Sequence, residues 1–428
     1  MKLIKFYLLF TLAILLGCST SSDNSTNPQP PFGPDYILLS SDQTIVEVGE
    51  TVTMNVVDDE DFDITSQSTI MIEGSAVAGS TFTPTNSGSY EIKATYQSVT
   101  SNKIYITANL PVVLSRIDVN LSEPAIFPGG VVTFSASAIY SNNTSEDITS
   151  ESEFYVDDVL ISGTEYTGNE VGTIEVKAVY QTISSDSFQV QIVDPSTLPS
   201  NFSKKAVIED FTGTWCGWCP RVSYAASLVE EQSDKVFTVG VHNGDVMTNS
   251  FGSALEDMYN VAGFPTAYVD RAYEWDYPEP NNINQALEAA EGTVNVGLAI
   301  ESSLSGSTLD ITIKQGFLEN MSNVKLLVFV LEDGILTDQE NYTNYYGGVL
   351  TITDFEHNGV LRYVATNIMG DATPSILGIH EQSFSVNLSS YGVLNPSNTG
   401  ILAMLVNDTA RVLYNAQYAP SNETQDFD

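Results

Sequence analysis

Two segments of this chain nearly repeat each other: GSYEIKATYQSVTS at residues 88–101 and GTIEVKAVYQTISS at residues 172–185, eighty-four positions further on. The tetrapeptide DITS recurs at residues 63–66 and 147–150 with the same offset, while GETVT from Gly49 answers GGVVT from Gly129 four residues closer, so the second copy carries a small insertion. A repeat of this period requires the first half of the chain to build one structural unit twice. Within each copy apolar residues alternate with polar ones, at Tyr90, Ile92, Ala94 and Tyr96 and again at Ile174, Val176, Ala178 and Tyr180. Alternation of period two, with turn residues every dozen positions or so, predicts short antiparallel strands packed as a β-sandwich.

Both copies resemble bacterial immunoglobulin-like domains, over residues 36–110 and 111–196. Neither contains a cysteine, so each must rest on its sheet-to-sheet core. From Asn201 the pattern changes. KKAVIEDFTG, KVFTVGVHN and FPTAYVD read as strands, and PRVSYAASLVEEQS, SFGSALEDMYNV and NINQALEAAEG read as helices between and after them. Alternating strand and helix predicts an α/β layer with partly parallel strands over residues 197–293. Beyond Thr293 strand signals return in runs such as TLDITIKQGF, VKLLVFVLED and GILAMLVND, which predicts a C-terminal β-sandwich over residues 294–420. The expected fold class is therefore multidomain: two β-sandwich repeats, an α/β domain and a C-terminal β-sandwich.

Two of the three cysteines, Cys216 and Cys219, stand in TWCGWCP, where a strand ends and a helix begins. Thiols at this spacing suit a redox pair, a structural disulfide or part of a metal site. A zinc site wants about four ligands, and the two thiols are short of that; a disulfide closing so small a loop restrains the unfolded chain little. The helix start directs N–H groups and the positive end of the helix dipole at Cys216, favouring its thiolate. Trp215 and Trp218 read as an apolar cover facing a substrate, because such junctions are exposed and tryptophan marks contact surfaces. Pro220 falls where a missing N–H does least harm.

Here the chain resembles thioredoxin. A tryptophan precedes the first cysteine, a glycine follows it, Asp210 lies six residues before it, and GFPT follows downstream at residues 263–266. The resemblance implies that Cys216 is the nucleophile, Cys219 the resolving thiol with which it forms a redox disulfide, and Asp210 the buried carboxylate that moves the proton of Cys219. It also implies that Pro265 is a cis-proline facing the thiols, presenting backbone beside Phe264 to an extended substrate. The chain departs from that pattern at Trp218, where proline or histidine is usual, and at Pro220, where a basic residue is common. No cofactor and no metal are expected.

The N-terminus bears on the compartment. Lys2 and Lys5 precede an apolar run over residues 6–16 that is short for a membrane span, as in a secretory signal. LLGC at residues 15–18 resembles the bacterial lipobox, which implies removal of residues 1–17 and lipidation of Cys18; Ser19, not Asp, follows it, which points to the outer membrane. Residues 18–35, polar and proline-rich, read as a flexible tether. The formal charge is −39, which opposes nucleic-acid binding. DDEDFD at residues 58–63 lacks the spaced ligands of a calcium loop and reads as a solvated acidic turn. The three histidines are scattered, and His357 precedes an Asn-Gly turn.

The second half also resembles the Omp28-related outer-membrane lipoproteins of the Bacteroidetes, through EDFTGTWCGWCP at residues 209–220, LLVFVLEDGI at 326–335 and HNGVLR at 357–362. The expected function is a lipid-anchored envelope thiol–disulfide oxidoreductase, with extracytoplasmic protein thiols or disulfides and a further redox carrier as partners. The alternative is a surface binding or adhesion lipoprotein whose α/β domain is only a scaffold.

Overall fold

The computed structural model describes residues 33–428. The expected signal peptide, the lipidation site Cys18 and most of the tether lie outside the described residues. The chain divides into two compact units, one ending at Val113 and one running from Leu114 to Asp428.

The first unit is a β-sandwich. Ile37–Ser41, Val52–Asp58 and Thr81–Phe82 form one sheet, and the repeat strand Gly88–Tyr96 lies within a six-stranded second sheet. The alternation expected from the sequence places Ile92 and Ala94 in a core with Ile37, Val52, Val56, Ile70 and Ile106. Asp58 Oδ1 accepts the N–H groups of Glu60 and Phe62, so the acidic run is a turn closed on its own backbone.

The second unit begins with the other copy of this sandwich, a four-stranded and a six-stranded sheet around Val132, Phe134, Phe154, Val176, Ala178 and Val190. The repeated tetrapeptide has a local cause. Asp63 Oδ1 accepts the Thr65 N–H at 2.9 Å and Asp147 Oδ1 accepts the Thr149 N–H at 2.9 Å. Each aspartate thereby caps a short 3₁₀ turn, and Ile64 and Ile148 enter the core just before it. The repeat strands both open on a glycine in backbone space that disfavours side chains, Gly88 at φ +153° and Gly172 at φ +151°. Asn320 Nδ2, from the later part of the unit, donates to Glu123 Oε2 at 2.6 Å and to the Ala125 carbonyl at 2.8 Å.

The rest of the unit is organised by a nine-stranded sheet. In chain order its elements are β1 (Ala206–Thr212), α1 (Pro220–Glu230), β2 (Val236–His242), α2 (Ser250–Tyr259), β3 (Thr266–Val269) and α3 (Ile283–Ala289). They continue with β4 (Val296–Ser305), β5 (Thr308–Phe317), β6 (Lys325–Glu332), β7 (Ile335–Glu340), β8 (Thr351–His357) and β9 (Val360–Val364). The last are β10 (Gly378–Asn387), β11 (Thr399–Val406) and β12 (Leu413–Pro420). From the short edge strand Tyr273–Glu274 the sheet runs β3, β1, β2, β9, β6, β11, β12, and the two-residue strand Asp371–Ala372 pairs with the start of β6 as the ninth. β1 and β2 are parallel over Ala206↔Val236 to Thr212↔His242, and β3 is antiparallel to β1. One parallel pair, Gly240↔Val360, carries the sheet from β2 into the strands beyond residue 293.

Residues 326–331 of β6 alternate between two cores. Leu327, Phe329 and Leu331 join Val207, Phe211, Val241 and Leu255 on the α2 side. Leu326, Val328 and Val330 join Leu298, Ile311 and Ile313 on the other, where the sheet packs on β4, β5 and β10. A strand covered on both faces reads as an unbroken apolar run, which explains LLVFVL. Near β1 the corresponding face is covered instead by α1 and α3, with Ala206, Ile208, Val222, Val229 and Ala286 in its core.

Candidate functional site

The end of β1, the turn at residues 213–215 and the start of α1 position the two cysteines. Cys219 occupies the N-cap of α1 and Pro220 its first turn. Cys216 and Cys219 are joined by a disulfide with their Cα atoms 5.4 Å apart. Both are buried, Cys216 at 4% and Cys219 at 1% exposure.

Around them the indoles lie at the surface, with Trp215 49% and Trp218 53% exposed. Trp215 Nε1 donates to the Asn243 carbonyl at 2.7 Å, and its ring meets Phe264 edge-on at 5.6 Å. The Phe264–Pro265 peptide is cis. Trp215 is thus joined to the Phe264–Pro265 segment, and Trp218 meets Tyr342 edge-on at 5.9 Å.

β1 explains the place of Asp210. Successive side chains of a strand point to opposite faces: Val207, Glu209 and Phe211 face α2, while Ala206, Ile208 and Asp210 face α1. Asp210 is 4% exposed, and its Oδ1 has no hydrogen-bond partner. Burial first, and then the charge of Glu279, push its carboxyl up to about 8, against the pull of Arg221. Arg221 and Glu279 form a buried ion pair in α1 and the turn before α3, with Nη2 3.1 Å from Oε1, and the guanidinium stacks on Tyr277 at 4.6 Å. The sequence reading missed this pair. Arg221 stands next to Pro220 in the motif, but nothing in the sequence joins it to a glutamate 58 residues away.

Asp210 also lines a cavity of about 730 Å³ between α1, β2 and the β8–β9 turn, together with Glu230, His242, Tyr346 and His357. His357 Nε2 has no partner, and burial followed by the nearby His242 pushes its imidazole down to about 4, so it is neutral at pH 7. His242 Nδ1 pairs with Asp245 Oδ2 at 2.7 Å. As expected from the sequence, His357 precedes an Asn-Gly turn, where Gly359 has φ +64°. The cavity and its two histidines were not read as part of a site. Among the described residues no group of three or more His, Cys, Asp or Glu side chains is placed to hold a metal ion.

A second unforeseen component is the loop of the β7–β8 hairpin, residues 341–350. The backbone N–H of Glu340 donates to the Thr214 carbonyl at 2.8 Å and that of Tyr342 to the Gly217 carbonyl at 2.6 Å. At the base of the loop the Gln339 amide donates to the carbonyls of Cys216 at 3.1 Å and Gly213 at 3.3 Å. The Tyr342 ring lies so close to Gly217 that a Cβ there would stand 2.5 Å from it. Glycine between the cysteines is therefore a condition for this contact. Tyr345 stacks on Tyr224 of α1 at 4.5 Å. NYTNYYGG reads in sequence only as an aromatic, glycine-ended loop; its docking is a tertiary fact.

The motif LLVFVLEDGI meets HNGVLR across the antiparallel β6–β9 pair, Leu331↔Leu361 and Glu332↔Val360. Arg362 Nε donates to Glu332 Oε2 at 2.7 Å, and Glu332 Oε1 accepts the N–H groups of Leu394 and Asn395. These two stretches build the sheet, not the thiol site.

Comparison with known proteins gives limited likenesses. No curated protein matches the chain. Among solved structures, HBP35 of Porphyromonas gingivalis is 18% identical over 52% of this chain and 76% of its own, with a TM-score of 0.42. Domains 4 and 5 of the S-layer protein SbsC are 18% identical over 37% of this chain and 98% of their own, with a TM-score of 0.24. The Yersinia pseudotuberculosis adhesin InvE is 11% identical over 39% and 65%, with a TM-score of 0.16. A family match begins within α2, beyond the cysteines, and includes the β7–β8 loop. Over residues 252–425 this chain matches the family of the outer membrane protein Omp28, and its location is the outer membrane.

Proposed function

We propose that this protein is a lipid-anchored thiol–disulfide oxidoreductase of the cell envelope, with a thioredoxin-like domain acting through Cys216 and Cys219 on extracytoplasmic proteins. The observation that carries the reading is the disulfide at the start of α1, with the buried, unpartnered Asp210 on the strand leading into it. In the disulfide form a substrate thiolate attacks Cys216 Sγ, the Cys216–Cys219 bond breaks, and Cys219 leaves as a thiolate. Asp210, neutral below about pH 8, holds the proton that Cys219 takes up. A second substrate thiolate then attacks the substrate sulfur of the mixed disulfide and releases Cys216, whose thiolate the start of α1 favours. The substrate is oxidised by two electrons and the enzyme pair is reduced; the reverse sequence reduces a substrate disulfide. Phe264–Pro265 and the two indoles offer the apolar surface on which the substrate chain would lie.

Removing the resolving thiol tests this. Cys219→Ser should accumulate covalent, reductant-sensitive adducts through Cys216 in cells, and Cys216→Ser should accumulate none, as read on non-reducing gels. A second reading, a surface binding protein with a structural disulfide, is favoured by the burial of both sulfurs. Absence of adducts, with no oxidation or reduction of dithiol substrates by the unaltered protein, would select it.

A further inference from the structure

We infer that residues 339–350 form a displaceable strap occupying the substrate position over the disulfide, and that the preferred substrate is an extended segment presenting an aromatic side chain in place of Tyr342. This rests on the redox reading above and adds to it the class of segment that binds.

The first support is the kind of contact. The strap reaches the cysteine loop through two main-chain bonds, Glu340 N–H to the Thr214 carbonyl and Tyr342 N–H to the Gly217 carbonyl, at both ends of the Thr214–Gly217 turn. At its base it does so through the Gln339 amide, which donates to the Cys216 and Gly213 carbonyls. Main-chain pairing is available to any extended peptide, whereas the one ring laid on the motif, Tyr342 against Gly217 and Trp218, selects for an aromatic side chain. Cys216 is 4% exposed and its carbonyl is held by Gln339 of the strap, so a substrate sulfur aligned for attack needs the cover around this residue, of which the strap is a part, to move.

The second support is how the strap is built. Its inner polar groups satisfy one another: Asn341 Oδ1 accepts the Thr343 N–H at 2.9 Å and the Thr343 hydroxyl at 2.7 Å, and Asn341 Nδ2 donates to the Val349 carbonyl at 2.7 Å. Asn341 N–H donates to the Leu350 carbonyl at 2.7 Å. The loop therefore keeps its own turn when it lifts, and the bonds that must pass to water are the four between residues 339–342 and the carbonyls of residues 213, 214, 216 and 217. Tyr342 is 56% and Leu350 73% exposed, so the apolar contacts that oppose the motion are chiefly those of Tyr345 and Tyr346 with Tyr224. Gly347 and Gly348, at φ +76° and +70°, supply a flexible descent into β8.

The test follows reduction of the Cys216–Cys219 disulfide in the full chain by dithiothreitol, quenched with an alkylating reagent and read by mass. Tyr342→Ala removes an exposed ring and leaves the fold intact; it should raise the reduction rate about tenfold, the change expected from losing one aromatic contact that holds the closed state. In the unaltered protein the rate should level off at high dithiothreitol, where opening becomes limiting. Equal rates in the two proteins, each linear in reductant, would overturn the strap. The substrate class is tested with mixed-disulfide peptides that differ only by tyrosine or serine beside the cysteine. The tyrosine peptide should exchange about fivefold faster with the Tyr342→Ala protein, in which its ring fills the vacated place. No preference would refute that half. If Tyr342→Ala speeds reduction by dithiothreitol but neither protein exchanges with either peptide, the strap stands as a cover and both the substrate class and the redox reading fall.

Discussion

Glu209 and Asp210 are neighbours in sequence and lie on opposite faces of one strand. Glu209 is fully buried against the fully buried Arg271, with Oε1 2.9 Å from Nη1, and it accepts a hydrogen bond from the Tyr259 hydroxyl. Asp210 has no such partner; strand alternation puts the two carboxylates on opposite faces, and the tertiary neighbours Tyr259 and Arg271 pair only the first. The consequence for Asp210 is a stability effect with a defined sign. Its carboxyl titrates at 3.8 without the fold and near 8 within it. Below pH 3.8 both states hold the proton; between the two values only the folded state does, so stability falls as pH rises through that window. Asp210→Asn keeps the shape and removes the titration. It should stabilise the protein by on the order of 5 kcal/mol above pH 8, by progressively less on descending toward pH 4, and by almost nothing below it. Urea unfolding at pH 4, 6 and 8 measures this, and a gain independent of pH would contradict it.

Among the elements β6 is the one on which two cores depend, because it is covered on both faces. Phe329 is fully buried in the core that also holds Phe211, Val241 and Leu255. Phe329→Ala should cost about 3–5 kcal/mol in chemical denaturation, whereas Leu336→Ala on the exposed face of β7 should stay within about 0.5 kcal/mol. Equal effects would show that β6 is not the central strand described here. The β7–β8 hairpin shows the opposite case, an element whose strands are short and whose loop does the contacting. Its partner segment lies more than a hundred residues earlier, so local pattern carries no sign of it.

At the scale of the whole molecule the anchor proposed at Cys18 and the acidity both suit the outer-membrane location. Cys18→Ser should move the protein from the membrane to the soluble fraction on fractionation, and unchanged partitioning would remove the lipid anchor proposed for Cys18. The strongly negative formal charge of −39 keeps such a surface soluble and repels nucleic acid. What the sequence determined by itself was local or periodic: the repeated sandwiches, through alternation and the Asp63 and Asp147 turns; the strand and helix flanking Cys216 and Cys219; the side of β1 on which Asp210 falls. These depend on neighbours one to four residues away, which a linear pattern records. Tertiary structure alone decided the rest. It joined the strands beyond residue 293 to the α/β sheet through Gly240↔Val360, and it set Glu279 against Arg221 and Tyr342 against Gly217. Those pairings join residues far apart in the chain through burial, charge and shape, and no periodicity in the sequence encodes which distant partner fills the place.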